Sequence, residues 1–391
     1  MAEVLGSAAA LLSRTSPDLP VVLIRPHVLR RRAQGVVAAF PGRVLYAVKC
    51  NDDERVLRAL HEGGIRAFDV ASIGEVRRIR ALFGTDVEIA FMHPVKPAAA
   101  VAEAYHRHGV RRFALDHVSE LEKIVAVTGG ARDLELVVRL AVANDGALLA
   151  LSGKFGAEPE EAVALLRRAR PHVRRLGLTF HVGSQCLDPG AFARAIHLAG
   201  EVAAAAGGIE HLDVGGGFPA RYVGDEPPFE AFVAVVREAV GHGIGAVDLA
   251  CEPGRLLVAD GVSVLVRVEQ RRGRRLYLND GIYGSLAELK WLGPRFPLAR
   301  VRPEGIDRRA ELGYDLFGPT CDSVDSMPGP HWLPADVAAG DWIEVGMAGA
   351  YTRTLATRFN GLGEARVVEV ADEPWYLVDP APPVTTEMAA A

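Results

Sequence analysis

Short apolar runs alternate with longer amphipathic stretches from residue 44 to residue 251. The apolar runs are bounded by turn residues, which is typical of buried strands, whereas the stretches between them carry apolar residues at helical spacing. The eight predicted strands are residues 44–48, 67–70, 87–92, 112–115, 134–140, 176–182, 211–214 and 247–251. The main helical stretches are residues 53–62, 74–82, 96–108, 119–127, 159–169, 189–206 and 230–241. Eight strands alternating with helices over roughly 230 residues predict a (β/α)8 barrel in an α/β protein.

The pattern changes after residue 255. Segments 263–268, 275–278, 342–345 and 365–370 read as strands between Gly and Pro turns, without a long helical stretch among them. They predict a second, all-β domain. We therefore divide the chain into an N-terminal segment 1–25, a barrel 26–262 and a C-terminal β domain 263–391.

The two ends of the chain are less regular. Residues 1 to about 18 are predicted as a helix or tail, and residues 21–24 as a strand that either begins the barrel or pairs with the β domain. Residues 380–391 read as a loose tail.

Composition narrows the class of protein. The chain has 391 residues, of which 49% are hydrophobic and 24% charged, as expected for a soluble globular protein with room for two domains. Its net charge of -5 offers no broad attraction to nucleic acid or to an anionic membrane. The densest basic run, residues 271–275, is predicted as a solvated hairpin tip. No apolar run is long enough for a membrane span, and no signal peptide is indicated.

The four cysteines are Cys50, Cys186, Cys251 and Cys321. They are widely spaced and form no CxxC or CxxC/HxxxH arrangement, so neither a disulfide framework nor a metal site is indicated. This usage fits a reducing cytoplasm best.

Ionisable residues gather where the predicted strands end, which is where barrels build their active sites. Lys49 follows the first strand. Burial there is expected to lower its pKa and to leave a neutral amine that can form a Schiff base with an aldehyde cofactor such as pyridoxal phosphate (PLP). The alternative is a strand-end lysine that extends into water. Asp69, Arg139, His181 and Glu252 occupy comparable positions.

Two further motifs lie at the ends of the last predicted strands. The backbone N–H groups of Gly215, Gly216 and Gly217 can all point at one phosphate. The alternative is a flexible turn that binds no ligand, because such turns are also rich in glycine. In the segment Glu252-Pro253-Gly254-Arg255, the carboxylate can hold a protonated pyridine nitrogen and the guanidinium can contact a phosphate. The alternative is a structural ion pair at the barrel rim.

His181 and Ser184 leave the sixth predicted strand together. A histidine here can stack on a planar ring while the serine donates to phosphate, or it can be an ordinary structural histidine. Loop 318–325 of the β domain carries Cys321 and Asp322, which suggests reaction or recognition, against the alternative of a buried cysteine beside a surface acid. Tyr283 and Tyr351 lie in further loops of that domain.

Taken together, these motifs resemble the fold type III PLP-dependent decarboxylases, the ornithine/diaminopimelate decarboxylase family with an alanine-racemase-like barrel. The matching segments run in order through YAVKCN, FDVAS, HVGSQ, GGGFP, EPGR, NDGIYGS, GPTCDSVD, AYT and FNG. They span nearly the whole chain, which makes the resemblance specific.

The resemblance implies roles for individual residues. Lys49 would form the Schiff base, His181 would stack on the ring, Glu252 would hold its nitrogen and Cys321 would return a proton to the substrate. The other cofactor-binding residues would be Asp69, Arg139, Ser184, Gly215, Gly216, Gly217, Gly254, Arg255 and Tyr351. Family members are commonly head-to-tail dimers, so Cys321 and Asp322 would act across a homodimer interface.

Substrate identity follows less directly. The CDSVD segment is closer to ornithine decarboxylases than to diaminopimelate decarboxylases, and Asp322 suits a distal ammonium group. Eukaryotic-type ornithine decarboxylases carry a further aspartate where this chain has Leu292, and Glu288 is the nearest carboxylate. We expect a substrate site of Tyr283, Glu288, Asp322 and Phe359.

The expected reaction is decarboxylation of L-ornithine to putrescine, a step of polyamine biosynthesis. Lysine or another diamino acid, including a conjugated one, is the alternative substrate. An amino-acid racemase and a non-catalytic PLP-binding protein are the alternative classes. A racemase needs a catalytic tyrosine in place of the Cys321 loop, and a single-barrel PLP-binding protein has no β domain.

Overall fold

Eight parallel strands close into a barrel in the computed structural model, which describes residues 4–378. The barrel strands are Arg43–Ala47, Ala67–Val70, Glu88–Phe91, Arg112–Leu115, Glu135–Arg139, Arg175–Thr179, His211–Asp213 and Asp248–Cys251. The last strand pairs with the first through Ala250 beside Arg43 and Cys251 beside Val44, which closes the circle. The predicted barrel is therefore confirmed.

The barrel interior is filled mostly by small residues. Alternate positions along a strand face the same side, so one set points inward and the other packs against the helices. The inward set forms a separate apolar cluster of Leu45, Ala67, Ala90, Met92, Ala114, Val137 and Ala250. Two residues beyond several of these, still on the inward face, the chain places Asp69, Arg139 and Glu252. The same period that fills the core thus brings charged groups to one mouth of the barrel.

Helices connect the strands around the outside. The α-helices of this region are Pro26–Ala39, Glu54–Glu62, Ile73–Phe83, Ala98–His106, Val118–Val127, Pro159–Ala169, Pro189–Ala206, Phe229–Gly243 and Arg255–Val258. Short 3-10 turns occupy Val48–Cys50, Arg170–His172 and Ala259–Gly261, and two short strands, Ala147–Leu149 and Ser184–Cys186, pair above the barrel. Among residues 4–378 no helix combines the length and the apolar character needed to cross a membrane.

A nine-stranded sheet forms the second unit. Its strands are Val21–Ile24, Val262–Arg272, Arg275–Leu278, Leu298–Arg302, Gly305–Asp307, Leu312–Phe317, Ser326–Leu333, Trp342–Val345 and Arg366–Glu369. Short α-helices at Ala8–Arg14, Ala287–Leu292 and Trp375–Val378, with 3-10 turns at Arg353–Leu355 and Phe359–Gly361, accompany it.

The strand Val21–Ile24 belongs to this sheet. It pairs antiparallel with the strand that begins at Val262 and parallel with Arg366–Glu369. Of the two alternatives open from the sequence, pairing with the β domain is therefore the one observed. The basic run 271–275 is a hairpin turn, as predicted. The predicted tail, residues 380–391, lies outside the described residues.

A buried arginine joins the N-terminal segment to both units. Arg25, which directly precedes the first helix of the barrel, is fully buried. Its guanidinium donates to the hydroxyl of Ser263 at 2.8 Å and forms ion pairs at 3.0 Å with Glu344 and Asp372. The Trp375 indole also donates to Glu344, at 3.2 Å. Because Glu344 is buried as well, water solvates neither charge, and each is stabilised by the other.

We predict that Arg25→Ala lowers the free energy of unfolding by about 3–5 kcal/mol, because it leaves the buried Glu344 carboxylate without its cation. Arg30→Ala, which breaks the exposed pair with Glu62, is the matched control and should cost less than about 1 kcal/mol. Urea denaturation of the two variants measures the difference. Equal losses of unfolding free energy in the two variants would contradict the larger contribution predicted for the buried ion pairs of Arg25.

Candidate active site

The turn that carries Lys49 is held from both sides. After the first barrel strand the chain tightens into a 3-10 turn, Val48–Cys50. The Tyr46 hydroxyl donates to the carbonyl of Asn51 at 2.8 Å, and the Asn51 amide donates to the carbonyl of Gly349 at 2.9 Å. These bonds fix the turn against a loop that follows the last-but-one strand of the sheet domain. They aim Lys49 into the mouth of the barrel.

Lys49 forms an ion pair with Asp69. Its Nζ lies 2.9 Å from Oδ2 of the buried Asp69, while 44% of the lysine side chain stays exposed. Burial within the mouth lowers the pKa of Lys49, but the neighbouring acidic groups of Asp69, then Tyr351 and Glu252, outweigh it, and the net shift is upward. The expectation of a depressed lysine pKa was therefore wrong for the protein alone, because it counted desolvation and not the neighbouring carboxylates.

Glu252 sits at the centre of an excess of negative charge. It ends the last barrel strand, is buried, and its Oε1 has no hydrogen-bond partner among the described residues. Burial, followed by the charges of Asp213 and Asp69, raises its pKa well above the ordinary value. An orphaned, buried carboxylate oxygen of this kind fits the N–H of a protonated pyridine ring.

His181 is a neutral imidazole in this environment. Burial, Arg139 and Lys49 together lower its pKa to about 3. Its Nδ1 lies 3.1 Å from the backbone N–H of Gly183, which donates to it, so the ring proton belongs on Nε2. A neutral ring with a fixed tautomer is suited to lie flat against a planar cofactor without adding charge.

The glycine segment forms a tight cradle. Gly215 and Gly217 have φ values of 67° and 102°, and a Cβ at either would overlap a neighbouring backbone carbonyl oxygen. A Cβ at Gly216 would lie 2.7 Å from the carbonyl oxygen of Glu252. The N–H of Gly215 already donates to Asp213 at 2.9 Å, so Gly216 and Gly217 are the members that line the cavity.

Arg255 and Ser184 line the same cavity as the glycine segment. The Nη2 of Arg255 donates to the hydroxyl of Ser184 at 3.3 Å, and its guanidinium lies 5.3 Å from the ring centre of Tyr351. Tyr351 is held by its own backbone N–H, which donates to the carbonyl of Cys50 at 2.9 Å. The sheet domain therefore contributes a side chain to the barrel mouth.

One cavity collects most of the predicted cofactor residues. It is lined by Ala47, Lys49, His181, Ser184, Gly216, Gly217, Phe218, Glu252, Gly254, Arg255 and Tyr351. Arg139 is not among the lining residues; its guanidinium lies 5.5 Å from the ring centre of Phe155, and burial lowers its pKa. These groups fit the parts of PLP. The amine of Lys49 suits its aldehyde, the carboxylate of Glu252 its ring nitrogen, the ring of His181 its face, and Arg255 with the glycine segment its phosphate.

A second cluster lies on loops of the sheet domain. The hydroxyl of Tyr283 donates to Asp322 at 2.5 Å and thereby lowers the pKa of that carboxyl. The rings of Tyr283 and Phe359 have their centres 4.8 Å apart. Cys321 is exposed, and its backbone N–H donates to the side chain of Asn360 at 3.1 Å. None of these residues lines the cavity around Lys49 in the described chain.

Asp325 ties the loops of this second cluster together. Its buried carboxylate accepts from the N–H of Ile282 at 2.9 Å and from the hydroxyl of Thr320 at 2.7 Å. One end of each loop is therefore fixed to the same side chain. These two hydrogen bonds hold the loop that carries Tyr283 next to the loop that carries Asp322.

Glu288 does not lie in the cluster of Tyr283, Asp322 and Phe359, where it was expected. Its Oε2 lies 2.6 Å from Nη1 of Arg255, and both side chains are buried. The expectation that Glu288 joins Asp322 is corrected, because its carboxylate is already paired on the cofactor side. Leu292, at the position of the missing aspartate, is buried and apolar.

Sequence reasoning missed several residues of the site. Phe218 lines the cavity, the Tyr222 hydroxyl accepts a hydrogen bond from Arg255, and the Asn360 side chain accepts one from the Cys321 N–H. Asp213 left a signal, because it is a charged residue inside a predicted buried strand. Phe218 and Asn360 also left a signal, since they lie in the matching segments GGGFP and FNG, whereas Tyr222 lies in a loop without one.

Comparisons with known proteins agree with this geometry. Residues 27–259 match the pyridoxal binding domain of the pyridoxal-dependent decarboxylases, and residues 222–349 match their C-terminal sheet domain. A lysine/ornithine decarboxylase of Selenomonas ruminantium is 33% identical over 346 residues, which cover 85% of this chain and 84% of the relative. An ornithine decarboxylase of Schizosaccharomyces pombe is 33% identical over 83% of this chain and 76% of its own.

The fold is shared with solved structures of the same kind. The arginine decarboxylase of Paramecium bursaria Chlorella virus bound to agmatine superposes with a TM-score of 0.81 at 27% identity, over 90% of this chain and 96% of that one. These relatives differ in the basic amino acid that their names give. The barrel match, the sheet match and the relatives together show that this chain belongs to the pyridoxal-dependent decarboxylases.

Proposed function

We propose that this protein decarboxylates L-ornithine to putrescine. The family membership supports decarboxylation of a basic amino acid, and the relatives divide among ornithine, lysine and arginine. The observation that carries the choice is Asp322, a carboxylate oriented by Tyr283 in a loop rather than used in an internal ion pair. Such a group suits the distal ammonium of a diamino acid. The planar guanidinium of arginine pairs best with both oxygens of one carboxylate, and each oxygen of Asp322 already accepts a hydrogen bond, from the Tyr283 hydroxyl and from the Val324 N–H.

The assigned residues divide the work at the barrel mouth. PLP, when bound, supplies a ring that accepts the electron pair left on Cα as CO₂ departs. Lys49 holds the cofactor, and Glu252 keeps the proton on its ring nitrogen. His181 covers one face of the ring. Arg255 and Ser184, with the N–H groups of the glycine cradle, hold the phosphate.

The second cluster serves the substrate. Asp322 binds the distal ammonium, and the rings of Tyr283 and Phe359, which lie in contact with each other, form one apolar wall beside the methylene chain of the substrate. The exposed thiol of Cys321 delivers a proton to Cα after CO₂ has left, which restores a saturated carbon in the diamine product.

We infer that the active site is completed in a homodimer. In the described chain the Cys321 cluster lies outside the cavity of Lys49, although the proposed chemistry needs both. Apolar side chains on or beside the same loops are exposed, among them Trp291, Val324, Leu355 and Phe359. A head-to-tail dimer buries such side chains and brings one subunit's Cys321 to the other subunit's Lys49.

L-lysine is the second candidate substrate, because its chain is one methylene longer and ends in the same ammonium. A methylene difference in a pocket changes selectivity by only about 10- to 200-fold. The site has one free carboxylate rather than two, since Glu288 is paired with Arg255. We place ornithine first on the resemblance of the CDSVD loop.

Release of CO₂ across a substrate panel tests this assignment. We expect kcat/KM to be highest for L-ornithine, lower for L-lysine, and lowest for L-arginine and diaminopimelate. A guanidinium needs both oxygens of Asp322, which already accept hydrogen bonds, and the second carboxylate of diaminopimelate is repelled by Asp322. A higher kcat/KM on any of the other three would contradict ornithine as the substrate.

Asp322→Asn is the specificity variant for the same assay. It should lower kcat/KM for ornithine by roughly 10²-fold, since the ammonium loses its charge partner, while PLP absorbance is unchanged. Full activity of this variant on ornithine and lysine would show that the distal group of the true substrate is not a simple cation.

We predict that mixing Lys49→Ala with Cys321→Ala subunits restores activity. Each heterodimer then has one site with both residues intact, so about one quarter of the wild-type sites return after random exchange, as follows from the symmetry of a twofold dimer. Activity that stays at the level of the separate variants, with subunit exchange demonstrated by a tagged chain, would place the whole site within one subunit.

A further inference from the structure

Glu288 and Arg255 form a buried ion pair behind the phosphate side of the cavity. The atoms Oε2 and Nη1 are 2.6 Å apart, and the two side chains are 5% and 3% exposed. Arg255 begins the short helix after the last barrel strand, and Glu288 lies on the helix Ala287–Leu292 of the sheet domain. The pair therefore joins the two units of the fold at the cofactor site.

The two edges of the guanidinium have different partners. Nη1 contacts Glu288 and donates to the hydroxyl of Tyr222 at 2.8 Å. Nη2 donates to Ser184 at 3.3 Å, on the side that the glycine cradle also faces. Glu288 and Tyr222 thus occupy one edge of the guanidinium. The other edge, at Nη2, faces the position assigned to the phosphate.

A guanidinium stays charged when it is buried, so its orientation depends on where its counter-charges lie. Tyr351 confines it from the ring face, and the phenol of Tyr222 is neutral because burial raises its pKa to about 12. Glu288 is the carboxylate that the described residues place against it. Removing that carboxylate leaves a buried cation free to turn toward Tyr222 and away from Ser184.

We propose that Glu288 is a positioning residue that fixes the guanidinium of Arg255, and that it sets the affinity for the cofactor's phosphate rather than the choice of substrate. The inference rests on the assignment of Arg255 to the phosphate in the proposed function. It gives Glu288 a role different from the substrate contact that its sequence position suggested.

The test compares two aldehydes that differ only in the phosphate. Dissociation constants for PLP and for pyridoxal, which lacks the phosphate, are measured by absorbance on the apoprotein of wild type, Glu288→Gln, Glu288→Leu and Arg255→Met. Glu288→Leu should weaken PLP binding by about ten-fold or more and leave pyridoxal binding unchanged. Glu288→Gln keeps an oxygen acceptor for Nη1 and should lose less than about three-fold.

A double-mutant cycle then shows whether Glu288 acts through Arg255. In the Arg255→Met background, Glu288→Leu should cause no further loss in the ratio of PLP to pyridoxal affinity, because the group it positions is gone. A general folding defect would instead weaken both aldehydes, and that outcome would overturn the proposal.

Two other outcomes would also overturn it, and they are distinguishable. If Glu288→Leu changes the ornithine-to-lysine ratio of kcat/KM while the ratio of PLP to pyridoxal affinity stays at the wild-type value, Glu288 belongs to the substrate pocket. If Arg255→Met keeps the wild-type preference for PLP over pyridoxal, Arg255 does not bind the phosphate, and the cofactor assignment itself fails at that residue.

Discussion

An excess of buried negative charge at the mouth of the barrel is the constraint on which the rest of the site depends. Asp213, Glu252, Lys49 and Asp69 come from the ends of four neighbouring strands, in that order around the barrel. Three of them are carboxylic acids, and Lys49 lies 2.9 Å from the carboxylate of one, Asp69. Burial raises the pKa of Asp213 to about 7, and burial together with Asp213 raises that of Glu252. A cationic ring nitrogen beside Glu252, as proposed, would relieve this imbalance.

The rest of the fold serves to hold that charge in place. The strand period of two directs small residues into the barrel core and charged ones to its mouth, so no separate scaffold is needed. The sheet domain then closes the site from above through Tyr351, through the bond from Asn51 to Gly349, and through the pair of Glu288 with Arg255. Arg25 ties the N-terminal strand to the same assembly. Barrel and sheet are therefore joined by polar contacts at the points where the chemistry is proposed.

The barrel was predictable because its pattern is local. Each strand is an apolar run of fixed period, and the residues at its end, such as Lys49 and Glu252, share a face by that period alone. Four strands of the sheet were not predicted, among them Ser326–Leu333, which contains Pro328 and Pro330, and Leu298–Arg302, which contains the buried Arg300. Each of these two strands pairs with a neighbouring strand along the chain, but proline and charged residues interrupt the alternation of apolar and polar positions by which a strand is predicted.

The same reasoning explains the errors at the site. The pKa of Lys49 depends on Asp69 and Glu252, which are remote in sequence, so burial alone gave the wrong direction. Glu288 was proposed because it is the carboxylate nearest to Leu292 in the sequence, whereas in the structure its side chain pairs with Arg255. The catalytic roles of Lys49, Cys321 and the residues around them stay predictions, since their proximity does not by itself establish what each one does.

The protonation state of the cofactor nitrogen tests the central claim most directly. The protein is reconstituted with PLP labelled with ¹⁵N in the ring, and the nitrogen chemical shift is measured at neutral pH in wild type and in Glu252→Gln. The charge imbalance predicts a protonated nitrogen in wild type and loss of that proton in Glu252→Gln. An unprotonated nitrogen in wild type, or the same protonated shift in both proteins, would contradict the account.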